Sequence, residues 1–230
     1  MTYERFWAKA EPLATSLSAS HPIWAHSLDV AATLAALLDA NRVLWDRMAG
    51  ALGCGPTETM RIAVWLAALH DIGKFSAAFQ SLAPEAWPEE ALGETVPGFA
   101  SGDRPRHDLL GLWLWENGLS GTLTGRAWPG AGETLDKLAA AAFGHHGKPL
   151  SHQDLERVRA RKDICEASQA AARAYAKAVT DLLLPEALTA APPRAGEPAV
   201  FLLAGLVNLA DWVGSNQDWF PYHSAVAYTH

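Results

Sequence analysis

From Pro22 onward, apolar residues return every third or fourth position through HPIWAHSLDVAATLAALL, the period of an amphipathic helix that opens on a proline. The same period runs through TETMRIAVWLAALHDI (57–72), which Thr57 is placed to cap and Gly73 to end. Further helices are predicted over 107–117 (HDLLGLWLWEN), 133–143 (ETLDKLAAAAF), about 152–183 and 198–213 (PAVFLLAGLVNLADWV). No convincing period-two strand or Asn-Gly hairpin appears, so the expected fold is all-α, a globular helical bundle. The Pro/Gly-rich 83–106, the Gly-rich 118–132 and the Pro/Ala-rich 185–197 read as long connections within one domain spanning 1–230, since apolar helices flank each of them.

Composition narrows the partners. Half of the 230 residues are hydrophobic, enough for a packed core. The net charge of -7 argues against a strong autonomous nucleic-acid binder, because phosphate binding wants a basic surface. It leaves room for a nuclease whose positive charge arrives with metal ions. Cys54 and Cys165 stand alone, outside any CxxC pattern, as thiols do in a reducing compartment. MTYERFWAKAEPL has no signal-peptide core, and the longest apolar run (199–210) is too short to span a bilayer. The expectation is a soluble, cytoplasmic protein without a membrane partner.

Several polar residues break the apolar faces. His26 shares a face with Ile23, Val30, Leu34 and Leu37; His70 shares one with Ile62, Ala63, Leu66 and Ala67; Asp211 follows Leu203, Ala204 and Val207. A lone core histidine is usually a hydrogen-bonded structural residue, and a lone Asp211 could cap a turn. Three such residues together with the adjacent Asp71 are explained at once by a metal ion, which supplies the charge that a buried carboxylate requires. His26, His70, Asp71 and Asp211 would form one centre. In FGHHGKP (143–149), flanking glycines let His145 and His146 aim at a common point, and His107 opens a helix after a Pro-rich loop. An HH pair in isolation is more often solvated than ligating. Beside an existing centre, a second metal bound by His107, His145, His146 and a bridging Asp71 is the better reading.

HSLDVA around His26, LAALHDIGKF around His70 and Asp71, RHDLLG around His107, GHHGK around His145 and His146, and LADWVGSN around Asp211 and Ser215 follow one another in this chain. In that order they resemble the HD nuclease domain of the CRISPR-associated type I helicase-nuclease, within the HD phosphohydrolase superfamily. The resemblance runs from about residue 20 to 222. It implies an HD-type helical fold and a metal-dependent endonuclease or exonuclease acting on single-stranded DNA in CRISPR interference. It assigns His26, His70, Asp71 and Asp211 to one metal and His107, His145 and His146 to a second, with Asp71 between them. Lys74 and Ser215 match further active-site positions, and with Asp71 they make the candidate catalytic set. The implied cofactors are one or two divalent transition-metal ions (Mn, Ni, Co, Fe or Zn). The implied partners are single-stranded DNA, helicase modules in cis or trans, and the RNA-guided surveillance complex. The chain departs from the full-length pattern in lacking a GxxxxGK[ST] phosphate loop, so a stand-alone HD subunit or an excised domain is expected.

The chemistry is consistent with that family. A bound metal lowers the pKa of water from 15.7 to about 7, and two metals about 3.5–4 Å apart clamp a phosphate together with its nucleophile. Read from the residues alone, Lys74 is either a phosphate contact or an exposed cation at a helix C-terminus; with the resemblance, the phosphate contact is favoured. Trp24, Trp65, Trp113 and Trp115 read as core, while Trp87, Trp128 and Trp219 are loop candidates for base stacking. The basic run RVRARK (157–162) reads as a solvated helix face. Replacing Asp71 is expected to cost metal and activity while largely sparing the fold. The competing reading is a phosphohydrolase acting on nucleotides or cyclic dinucleotides; the absence of GYP after the HH pair weighs against the cyclic-dinucleotide subgroup. A non-enzymatic module with a decayed site should lack ligands, and every expected ligand type is present.

Overall fold

The computed structural model describes residues 2–10, 20–99, 106–147, 150, 164–188 and 195–222. Ten α-helices occur among the described residues: α1 (Ile23–Ala40), α2 (Arg42–Leu52), α3 (Pro56–Leu69), α4 (Ala77–Gln80), α5 (Glu89–Leu92), α6 (His107–Leu114), α7 (Ser120–Ala127), α8 (Gly132–Phe143), α9 (Glu166–Leu183) and α10 (Glu197–Gly214). A 3₁₀ turn, Ile72–Phe75, follows α3. The basic run 157–162 lies outside the described residues.

α1, α3, α8, α9 and α10 enclose the core. In α1 the positions Ile23, Val30, Leu34 and Leu38 are fully buried, as its period demands. α1 packs on α3 and on α10, and α9 packs on α3 and the Ile72–Phe75 turn. α1 and α10 are long and apolar enough by length and composition to cross a bilayer, yet here about half of each is buried inside the protein. Trp65 and Trp115 meet edge to face with centroids 6.0 Å apart, and Trp65 Nε1 donates to Thr180 Oγ1 (2.9 Å), so the polar edge of this buried indole is satisfied.

The helical expectation holds, with local corrections. A two-stranded antiparallel ribbon, β1 (Trp7–Ala10) and β2 (Ser20–Pro22), places Lys9 opposite His21. Strands this short are hard to detect from alternation. α3 begins at Pro56, with Gly55 at the N-cap, so Thr57 lies inside the first turn and does not cap it. α2 was legible in principle: the Asn41 side chain accepts from Leu44 N (3.0 Å), and Gly53 takes the left-handed conformation (φ 70°) at its end. α7 replaces part of the expected 118–132 loop. Its sequence SGTLTGRA is a poor helix former, and packing of Leu123 and Ala127 into the core overrides that preference. Trp128, expected in a loop, is only 1% exposed. Trp87 is half-buried with Nε1 donating to Gly93 O (2.7 Å), and Trp219 stays 66% exposed.

Candidate metal centre

The end of α3 is built so that two adjacent side chains enter the core. A helix leaves its last four carbonyls without intrahelical partners. Here Ala67 O accepts from His70 Nδ1 (2.7 Å), and Ala68 O accepts from the hydroxyl of Tyr175 on α9 (2.7 Å). A carbonyl only accepts, so His70 Nδ1 carries a proton and Nε2 is turned inward, the orientation expected of a metal-bound histidine. The Ile72–Phe75 turn then reverses direction. A Cβ at Gly73 would fall 1.8 Å from His107 O and 2.5 Å from Gly111 N. The expected role of Gly73 was to end the helix; its actual role is to let the backbone of α6 approach closely enough to bring in His107.

Four side chains now converge. His26 (α1), His70 and Asp71 are fully buried, and Asp211 (α10) is 8% exposed. Their ligand atoms all lie within 4.8 Å of one another. His26 Nε2 is 3.2 Å from Asp71 Oδ2 and 3.1 Å from Asp211 Oδ1; His70 Nε2 is 3.2 Å from Asp71 Oδ2 and 3.8 Å from Asp211 Oδ1. None of these contacts has hydrogen-bond alignment: among the described residues both nitrogens of His26, Nε2 of His70 and both oxygens of Asp71 have no hydrogen-bond partner, and only Asp71 Oδ2 has a lysine as ion-pair partner, Lys74. An unsatisfied buried polar group costs roughly 1–3 kcal/mol. The four such atoms without a lysine partner (Asp71 Oδ2 has Lys74) together weigh heavily against a net domain stability of about 5–15 kcal/mol. Donor atoms that lie close without pointing at one another are aimed at a shared point, and their chemistry, imidazole and carboxylate, suits a divalent transition metal.

A second group sits beside the first. His107, His145 and His146 also bring ligand atoms within 4.8 Å of one another. Asp71 Oδ1 faces this group, 3.4 Å from His107 Nε2 and 3.8 Å from His145 Nε2, while Oδ2 faces the first. His145 Nδ1 lies 3.3 Å from Ala142 O and so donates to it, which again leaves Nε2 bare. His146 is exposed, and its Nε2 lies 2.9 Å from His107 Nε2. The structure thus brings together all seven candidate ligands.

The electrostatics match the geometry. Burial lowers the pKa of His26, and it holds His145 well below the usual histidine range, so both rings are neutral. Burial also lowers His146, helped by His107. For His70 burial pulls down, but the charges of Asp71 and Asp211 prevail and raise it to about 9. Burial would raise Asp71, yet His70 and Lys74 hold it well below the carboxylate range. Asp211 is likewise depressed, by His26 and His70 against the effect of burial.

Lys74 and Ser215 both lie against the carboxylates of this cluster. Lys74 is 4% exposed, its Nζ 2.5 Å from Asp71 Oδ2, donating to Ala8 O (3.3 Å) and lying over the Phe79 ring. It is a buried counter-ion of Asp71 and not an exposed cation at a helix end. Ser215 Oγ donates to Asp211 Oδ1 (3.0 Å), orienting that carboxylate. Sequence reasoning missed Lys9, whose Nζ lies 3.7 Å from Asp211 Oδ1, and Gln80, which clamps β1 to the turn. The Gln80 side chain accepts from Trp7 N and donates to Trp7 O and Lys74 O. A separate groove of about 420 Å³, between α1 and the Val213–Phe220 segment, is lined by Ala32, Ala36, Leu37 and Trp219 among others and holds none of these groups.

A family profile described as "Cas3, HD domain" matches residues 7–220. The chain is 30% identical over 232 residues to the CRISPR-associated endonuclease/helicase Cas3 of Escherichia coli (strain K12), a match covering 91% of this chain and 25% of that protein. The chain therefore spans about a quarter of that relative's length. The crystal structure of the Thermus thermophilus cas3 HD domain in the presence of Ni2+ superposes with a TM-score of 0.64 at 25% identity, covering 96% of this chain and 80% of that one. A chain of a CRISPR RNA-guided surveillance complex in a pre-nicking state matches with a TM-score of 0.66 at 26% identity, covering 94% of this chain and 25% of that one.

Proposed function

The chain belongs to the Cas3 HD-domain family, and from that premise we propose that it is a metal-dependent nuclease that hydrolyses phosphodiester bonds of single-stranded DNA in CRISPR interference. The observation that carries the reading is the division of Asp71 between two histidine sets, Oδ2 toward His26 and His70 and Oδ1 toward His107 and His145. His26, His70, Asp71 and Asp211 would hold one divalent ion, and His107, His145, His146 and Asp71 a second. When bound, such ions supply Lewis acidity toward a phosphate oxygen and lower the pKa of water toward neutrality.

The protein's own groups do the rest. Ala67 O and Ala142 O fix the protonated Nδ1 edges of His70 and His145, so Nε2 is the atom each ring turns to the centre; that of His70 gives up its proton when a metal binds. Ser215 holds Asp211, and Lys74 keeps Asp71 ionised in a dry core. With a chain charge of -7, delivery of DNA falls to partners. We assign that task to helicase modules, in cis or in trans, and to an RNA-guided surveillance complex. The named relative is an endonuclease/helicase, and one structural match is a chain of such a complex.

The test is metal content followed by turnover. Circular single-stranded DNA, deoxynucleoside triphosphates and cyclic dinucleotides are offered to the metal-loaded wild type and to Asp71→Ala. Nicking of circular DNA that Asp71→Ala abolishes is the expected result. Nucleotide or cyclic-dinucleotide turnover without DNA cleavage would overturn it.

A further inference from the structure

We propose that Lys9, on the β1 ribbon, is the cation that contacts the substrate phosphate at this centre, an inference that rests on the nuclease reading above. Two ammonium groups meet the carboxylates of the first ligand set, and they differ in what they have left to offer. Lys74 is 4% exposed and already committed: its Nζ meets Asp71 Oδ2, donates to Ala8 O and lies 5.2 Å from the Phe79 ring centroid. A substrate would have to displace a buried ion pair to reach it, leaving Asp71 short of its counter-charge.

Lys9 is the reverse case. Its side chain is 27% exposed, and its Nζ stands 3.7 Å from Asp211 Oδ1, beyond hydrogen-bond length. It therefore reaches the rim of the ligand set, and among the described residues no hydrogen bond takes up its three donors. Its position is fixed at the backbone. Gln80 brackets Trp7 through both the main-chain N–H and the carbonyl, and Lys74 holds Ala8 O, so the residues just before Lys9 are tied to the turn that carries Asp71. The ribbon register sets Lys9 opposite His21, at the entrance to α1 and His26. A lysine on a rigid strand with a flexible, half-buried stem can follow a phosphate oxygen while its backbone stays in place.

Charge balance points the same way. Asp71 and Asp211 carry two negative charges, and Lys9 and Lys74 offset both. Any divalent ion added to the set leaves surplus positive charge at its rim, beside Lys9, and an anionic phosphodiester is the substrate class that such a rim takes.

The test uses the full chain loaded with Mn2+, comparing Lys9→Met, Lys9→Arg and Lys74→Met with wild type. Three quantities are read: Mn2+ affinity and melting temperature, the dissociation constant for inorganic phosphate, and kcat and KM on a single-stranded oligonucleotide. Lys9→Met is expected to weaken phosphate about tenfold and to raise KM, with metal affinity and melting temperature close to wild type. Lys9→Arg should recover most of the loss, and Lys74→Met should lower metal affinity and melting temperature. The inference is overturned if Lys9→Met binds phosphate as wild type does, if it loses metal as Lys74→Met does, or if the metal-loaded wild type binds no phosphate. If the oligonucleotide is never cut while phosphate affinity still falls in Lys9→Met, the nuclease reading fails and Lys9 stands as an anion contact.

Discussion

His26 Nε2 approaches Asp211 Oδ1 to 3.1 Å, with no hydrogen bond between them. The two groups come from α1 and α10, distant in sequence and packed in space, and a Cβ at Gly214 would stand 3.0 Å from Val30 Cγ2 where those helices meet. Close helix packing thus sets the spacing of two candidate ligand atoms. The same logic, in which backbone approach decides site geometry, yields predictions separable from the assay of activity.

Asp71→Ala should remove both metals, whereas His107→Ala should remove only the second, as read by metal content per chain. Loss of Asp71 is also expected to cost stability, more than the sequence alone suggests. Lys74 is 4% exposed and paired with Asp71, and breaking a buried pair costs about 3–5 kcal/mol because one charge is left uncompensated. Asp71→Ala combined with Lys74→Met should recover much of that loss in denaturant unfolding without restoring metal.

Metal binding should release protons. His70 in the metal-free site has its pKa raised to about 9 by Asp71 and Asp211, so at neutral pH it holds a proton that a metal must displace. His26 and His145 are already neutral and release none. Affinity should therefore weaken about tenfold per unit as pH falls below that value and level off above it. Calorimetry in two buffers of different ionisation enthalpy should report release of about one proton near pH 7.5; no release would sink the assignment of His70 as a ligand.

Gly73→Ala places a methyl against the main chain of α6, 1.8 Å from His107 O, where backbone must move. We expect destabilisation of about 3 kcal/mol or more and selective loss of the second metal, since His107 moves with α6. Unchanged metal content with a lowered melting temperature would show that α6 can shift without carrying its ligand away.

Tyr175→Phe deletes the hydroxyl that satisfies Ala68 O at the end of α3. Leaving that buried carbonyl unpaired should cost about 1–3 kcal/mol by thermal or chemical unfolding. Metal affinity should fall much less than in any ligand variant, because His70 keeps its own bond to Ala67 O.

Much of this protein is legible from its residues in order. The 3.6-residue period found α1, α3, α8 and α10, and the break of that period by His26, His70, Asp71 and Asp211 singled out a candidate ligand set whose atoms the fold brings within 4.8 Å. Both signals are local: a helix face is determined by neighbours three and four positions away, and a polar group on that face must find a partner in the core. Tertiary structure alone decided the rest. The burial of Lys74, the approach of Lys9 to Asp211 and the need for glycine at 73 each depend on residues far apart in the chain. HDIGK reads the same whether its lysine faces solvent or the core. The ribbon and α6, packed over the turn, settle that the lysine lies inside.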